Sequence, residues 1–346
     1  MREVGSEAKC VPEAEPPEPQ GRNPFDRAVR AVDSWQQKSA PAGFVFGVIK
    51  KFGDDRGGQL AALISFSAFL AFFPLMLVVV TATAFLAQRS PAIADQIRTS
   101  AVAQFPVVGA ELTSNERALP GSGLGLGVGL AGLLWGGFGV TQSLQYAFHE
   151  VWHVPHKDRP PFVARLIRGT GVFALIFVGV LASAALGLLG TVVRNSIVAG
   201  AIGVLSATAV SVALLLVVFW LLSPKTLPLR TLLPGAVMSA VGWQALQLLG
   251  LRLVSHQLRR SSQLYGAIGA ALGLVWFLVL ATQVLLYSLE MTVVRTQKLW
   301  PRSILQPPLT ASDRKLLEAM AKQEERRPEE HVSVRFDGNV ERDANL

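Results

Sequence analysis

Three places in this chain carry residues of the types and spacing that chemistry needs. His149, Glu150 and His153 form H-E-x-x-H within the run HEVWH. On a helix the two histidines would share a face and could hold zinc, with Glu150 as general base for a water attacking a peptide carbonyl. A catalytic zinc also needs a third protein ligand. His156 follows too closely beyond Pro155, and His256 is expected on the other side of a membrane, so chance occurrence at a helix end is the better account. An intramembrane metalloprotease stays a remote alternative. The second place is GVGLAG, Gly127 to Gly132, which matches G-x-G-x-x-G but lacks the preceding strand and βαβ context that would make it a phosphate cradle.

The third place is the set of acids at the edges of apolar runs. Asp54 and Asp55 precede one such run and Glu290 ends another. Acids beside a membrane span are functional candidates by default, here for holding a cation or a polar headgroup. A plain salt bridge from Glu290 to Arg56 or Arg168 is the competing account. Polar side chains inside the apolar runs, Ser65, Ser67, Gln142, Gln145, Gln244, Gln247 and Gln283, could line a solute path. They could equally be interhelical hydrogen bonds, worth only about 0.6 to 2 kcal/mol each.

The elements that must position these groups follow from composition. The 346 residues are 51% hydrophobic and 16% charged, below the roughly 25% charged of soluble domains. Several long apolar runs, too continuous for barrel strands, predict an all-α integral membrane bundle of six transmembrane helices with interfacial amphipathic helices. The spans fall at about 59–86, 124–148, 169–193, 202–222, 232–251 and 266–289, within a membrane domain of residues 43–296. The net charge of +8 needs no nucleic acid to explain it, because cytoplasmic loops retain lysine and arginine. The lone Cys10 supports neither a disulfide framework nor a thiolate metal cluster.

Along the chain, residues 1–42 read as a disordered cytoplasmic tail, acidic and proline-rich in VPEAEPPEPQ, with no cleavable signal peptide expected. Phe44, Val48 and Phe52, flanked by Lys50 and Lys51, predict a short interfacial helix leading into span one. Pro74 predicts a kink near Leu70, with Ser65 and Ser67 placed to satisfy freed backbone groups. A second interfacial helix is expected within the 88–121 loop, from Ile97, Ala101, Phe105, Val108 and Leu112. Small residues mark packing seams: Gly121, Gly125, Gly129, Gly132 and Gly136 on span two, and Gly266, Gly269, Ala270 and Gly273 on span six. Residues 297–346 form a charged cytoplasmic tail, part helical and part disordered.

Six spans with both termini inside put Lys50, Lys51, Arg56, Lys157, Arg159, Arg165, Arg168, Lys225, Arg230, Arg295, Lys298 and Arg302 on the cytoplasmic side. Arg89, Arg98, Arg117, Arg194, Arg252, Arg259 and Arg260 fall outside, and the bias of 12 against 7 favours this orientation.

Four segments, in order, resemble the BrkB/YihY family of bacterial inner-membrane proteins, once labelled ribonuclease BN. They are DDRGGQLAALISFSAFLAFFP, LQYAFHEVWHVPHKDRPPF, LPLRTLLPGAVMSAVGWQ and SSQLYGAIGAALGLVWFLVLATQVLLYSLE, and the likeness runs from about Phe44 to Arg295. Pro234 and Gly235, in the third segment, count as structural positions. Family members often have asparagine near His149, glutamate near Gln244, and Gly-Ala-Glu-Leu-Asn in place of Ser288 to Thr292. Glu290 is retained where its neighbours have changed. The resemblance implies a multi-pass protein of the bacterial plasma membrane whose partners are the bilayer and a small solute or lipid, transported or bound. A non-transporting envelope scaffold is the alternative. No cofactor, metal or enzymatic activity is expected, because the ribonuclease label finds no carboxylate cluster to hold catalytic metal ions.

Overall fold

Six long apolar helices follow one another along the chain in the computed structural model, which describes residues 24–87, 123–192, 196–224, 227–257, 266–304, 306 and 309–336. They are α3 (Gly57–Ala87), α4 (Gly123–Val151), α5 (Phe162–Val192), α6 (Ser196–Leu222), α7 (Leu229–Gln257) and α8 (Gly266–Gln297). Before them come α1 (Pro24–Lys38) and α2 (Ala40–Asp54), and after them α9 (Ala311–Gln323). Every regular element among the described residues is helical. At 27 to 32 residues and 1.5 Å per residue, each long helix exceeds the roughly 30 Å of a hydrocarbon core. Among the described residues, four stretches are long and apolar enough to cross a membrane, Gly57–Val78, Leu205–Leu222, Leu229–Gly250 and Ala271–Gln297.

Each long helix packs on the next in sequence, and α8 closes the ring against α3. The packing has identifiable causes. On the α3–α4 seam, a β-carbon at Gly129 would lie 3.0 Å from Val78, at Gly132 3.1 Å from the Pro74 ring, and at Gly136 2.7 Å from the Ala71 Cα. The glycine ladder of α4 thus lets the two backbones approach. On the α7–α8 seam, a β-carbon at Gly235 would overlap Thr292 Oγ1 and sit 2.9 Å from the Ser288 carbonyl oxygen. Span six differs from the sequence expectation: Gly269 is exposed and a β-carbon there would meet nothing within 4 Å. Its small-residue stripe is therefore not a tight seam at that position.

Hydroxyl groups tie the same helices together. Ser65 donates to the Ala61 carbonyl and meets Thr282 of α8 at 3.1 Å, while Ser67 meets Ser143 of α4 at 2.8 Å. The serines therefore bridge α3 to its neighbours and bond the Ala61 and Leu63 carbonyls, rather than the Leu70 region that Pro74 deprives of a donor. α3 runs as one helix through Pro74.

The buried core gathers towards one end of the ring, around Phe148, Val151, Phe219, Leu232, Leu286, Leu289 and Val293. Large apolar side chains elsewhere face outwards, among them Phe66, Leu70, Phe73, Trp135 and Trp276, with Trp135 84% exposed. A soluble protein would bury such a band; a lipid solvent rewards its exposure.

One of the expected boundaries needs correction, and other expectations lie beyond the described residues. Residues 24–42, assigned to a disordered tail, are helical, because PFDRAVRAVDSWQQK has an amphipathic period that the acidic run before it lacks. Asp33 and Gln36 on the buried face of α1 hold the chain after α8: Gln36 donates to the Arg302 carbonyl at 2.6 Å, and Ile304 N–H donates to Asp33 at 3.0 Å. The helix α2, expected as a short interfacial helix leading into span one, also buries Lys51 and Val48 against the bundle. The expected interfacial helix of the 88–121 loop lies outside the described residues, as do Cys10 and the rest of 1–23.

Candidate functional site

Two polar clusters sit at the same end of the ring, where α2 and α3 meet and α4 and α8 end. The first is built on Lys51. Its position on the inner face of α2 takes the ammonium fully out of solvent, where it donates to Asp55 Oδ2 at 2.5 Å, Glu290 Oε2 at 2.8 Å and the Val151 carbonyl at 2.8 Å. Asp55 also faces His153 Nε2 at 3.2 Å. Burial pulls the Lys51 ammonium down, but Glu290 and Asp55 outweigh it and leave its pKa raised. Burial likewise pushes the Asp55 carboxyl up, yet Lys51 and then His153 hold it below the ordinary value. Glu290 Oε1 and His153 Nδ1 are buried without a hydrogen-bond partner.

This geometry corrects the expected partners of Glu290. The cation is Lys51 of α2, not Arg56 or Arg168. Asp54, read together with Asp55, turns away to Arg302 at 2.8 Å. Arg302 and Lys50 in turn reach Asp313 at 2.8 and 3.2 Å, so α9 is strapped to α2.

The HEVWH run is divided between the two clusters. α4 ends in a Schellman cap, with Val154 N–H bonding the His149 carbonyl and His153 N–H the Glu150 carbonyl. His153 takes the left-handed conformation at φ 49°, which swings its ring away from the helical face and towards Asp55. His149 stays on the helix and lines the second cluster. Glu150 pairs with Arg159 at 3.0 Å and accepts from Gln323. The two histidines do not converge, and among the described residues no three His, Cys, Asp or Glu side chains group as metal ligands.

The second cluster is a cavity of about 280 Å³ lined by Leu63, Gln142, Ser143, Gln145, Tyr146, His149, Arg159 and Arg165. α4 supplies the amides and His149 from successive turns of one face, and the first turn of α5 supplies Arg165. The span expected at 169–193 begins after this turn, which belongs to the helix Phe162–Val192. Gln145 Nε2 donates to the Arg165 carbonyl at 3.1 Å, fixing its amide so that Oε1 remains an acceptor. Gln145 Oε1, Gln142 Nε2 and Arg165 Nε are buried without partners. His149, one residue beyond the predicted span but still within α4, is buried beside Arg159 and Arg165 in the same cavity.

Of the residues singled out in the sequence, the structure brings Gln142 and Gln145 into this cavity and Asp55 and Glu290 into the Lys51 cluster. Gln244, Gln247 and Gln283 are half-buried on α7 and α8, away from both. Lys51 and Arg165 were not singled out. Lys51 stands four residues before Asp55, but Lys50 stands four residues before Asp54, so this spacing does not single Lys51 out.

Compared with known proteins, residues 48–308 match the model of the family described as Virulence factor BrkB. No curated protein and no solved structure matches the chain.

Proposed function

The chain belongs to the BrkB family, and from that premise we propose that it is a multi-pass protein of the bacterial inner membrane that binds, and passes, a small solute or lipid at its cytoplasmic end. In this reading all six long helices span the bilayer, both termini are cytoplasmic, and the Lys51 cluster and the Gln142–Arg165 cavity face the cytoplasmic leaflet. The observation that carries it is the cavity. Three of its residues hold buried polar atoms without partners, and such an atom costs about 1 to 3 kcal/mol that a bound ligand would recover.

The Lys51 cluster plays a supporting part. By joining α2, the start of α3 and the end of α8, it closes the ring beside the cavity. Flux of candidate solutes into proteoliposomes, compared between the natural chain and a Gln142→Leu, Gln145→Leu pair, tests the reading. Loss of flux or binding in the pair supports it. Co-purification of a protein partner with no flux and no ligand binding favours the scaffold instead.

A further inference from the structure

We infer that the ligand of this cavity is a hydroxyl-bearing oxyanion of the phosphate class, free or as a lipid headgroup; the inference rests on the ligand-binding reading above. The charge comes first. Arg165 and Arg168 have no carboxylate within ion-pair distance among the described residues, whereas Arg159 is matched by Glu150. The cavity wall therefore holds the uncompensated positive charge of Arg165. His149 adds two ring nitrogens to the lining, one N–H and one lone pair in its neutral form.

Polarity then narrows the ligand. Gln142 Nε2 and Arg165 Nε are donors in need of acceptors, which any anion oxygen supplies. Gln145 Oε1 is an acceptor in need of a donor, since its own Nε2 is already committed to the Arg165 carbonyl. A fully deprotonated anion would leave that oxygen facing negative charge. Inorganic phosphate retains an O–H at neutral pH, and a phosphoglycerol headgroup carries hydroxyls beside its phosphate, whereas sulfate has no proton to offer. All three atoms belong to side chains that line the cavity, and rotation of those side chains is what would bring them to a ligand.

The test uses the full chain in phosphatidylcholine nanodiscs, titrated calorimetrically with sodium phosphate and, separately, sodium sulfate at pH 7. Phosphate is expected to bind at least about tenfold more tightly than sulfate, and Arg165→Gln to weaken phosphate by about ten- to a hundredfold, the loss of one charge-assisted hydrogen bond. If Arg165→Gln does not fold, Gln142→Leu removes the other unpartnered donor and should also weaken phosphate, by a smaller factor. Native mass spectrometry after mixing in phosphatidylglycerol separates the sources. Retained phosphatidylglycerol that displaces phosphate identifies a lipid headgroup, and phosphate binding untouched by it identifies the free anion. Equal binding of phosphate and sulfate, or undiminished binding by the folded variants, overturns the inference. So does a neutral or cationic solute that binds while neither phosphate probe does, but that result leaves the ligand-binding reading standing. Failure of every solute to bind or move overturns both.

Discussion

Replacing Lys51 by methionine is the sharpest perturbation of the fold around the site. Methionine keeps the apolar stem but removes the ammonium that holds Asp55, Glu290 and the Val151 carbonyl. At an effective dielectric of about 20, each ion pair near 2.8 Å is worth roughly 6 kcal/mol before desolvation. Desolvation of the three ions opposes most of that gain, so the assembled cluster adds little net stability. The broken cluster is another matter. Asp55 and Glu290 have side chains no more than 1% exposed, and would face each other without a cation. Removing one partner of a buried pair typically costs about 3 to 5 kcal/mol, and Lys51→Met should fall in that range. Reversible unfolding in mixed micelles, followed by tryptophan fluorescence as the denaturing detergent fraction rises, reads the change. Adding Glu290→Gln to Lys51→Met should recover part of the loss, because one of the two stranded charges disappears. A Lys51→Met protein within about 1 kcal/mol of the natural chain would refute this account of the buried triad.

Three further outcomes follow from the same structure. Glu290→Gln alone should destabilise by only about 1 to 2 kcal/mol in that unfolding assay, since Lys51 retains Asp55 and the new amide oxygen can still accept. Gly235→Ala should lower stability by about 1 to 3 kcal/mol through collision with Thr292 and the Ser288 carbonyl, whereas Gly269→Ala, in open space, should be neutral or stabilising by up to about 1 kcal/mol in the same measurement. The strap of α9 should release in acid. Burial raises the Asp313 carboxyl, but Thr310, Ser303 and Arg302 outweigh it and lower its pKa. Its stabilising contribution is therefore full above the ordinary carboxylate range near pH 4 and disappears as pH falls through the lowered value. Proteolysis between Arg302 and Ala311 should accelerate only below about pH 4, and Asp313→Asn should remove that dependence.

Much of the architecture is readable in the sequence because the two strongest signals are local. Apolar runs predict helices whose cores coincide with α3 to α8, and the period-four glycines of span two lie on the face that α3 packs against. Glu290 stands out because an acid at the end of an apolar run must find a partner. Its partner lies 239 residues away on α2, and nothing local tells Lys51 from Lys50, which goes instead to Asp313 and the Ser303 carbonyl. The same limit applies to HEVWH. A helical period puts both histidines on one face, but the left-handed turn at His153 is set by the chain that must leave α4, and it sends the two rings to different clusters. The helix α1 is hidden for a compositional reason: the acidic, proline-rich run ahead of it dominates the reading of the first forty residues, while its anchors, Arg302 and Ile304, lie at the other end of the chain.

The most direct measurement of the central claim is an experimental density map of the protein purified from its membrane and held in nanodiscs with phosphate present. The account predicts density for a bound tetrahedral group or lipid headgroup against Gln142, Gln145 and Arg165. An empty cavity there, with ligand density elsewhere in the bundle, would contradict it.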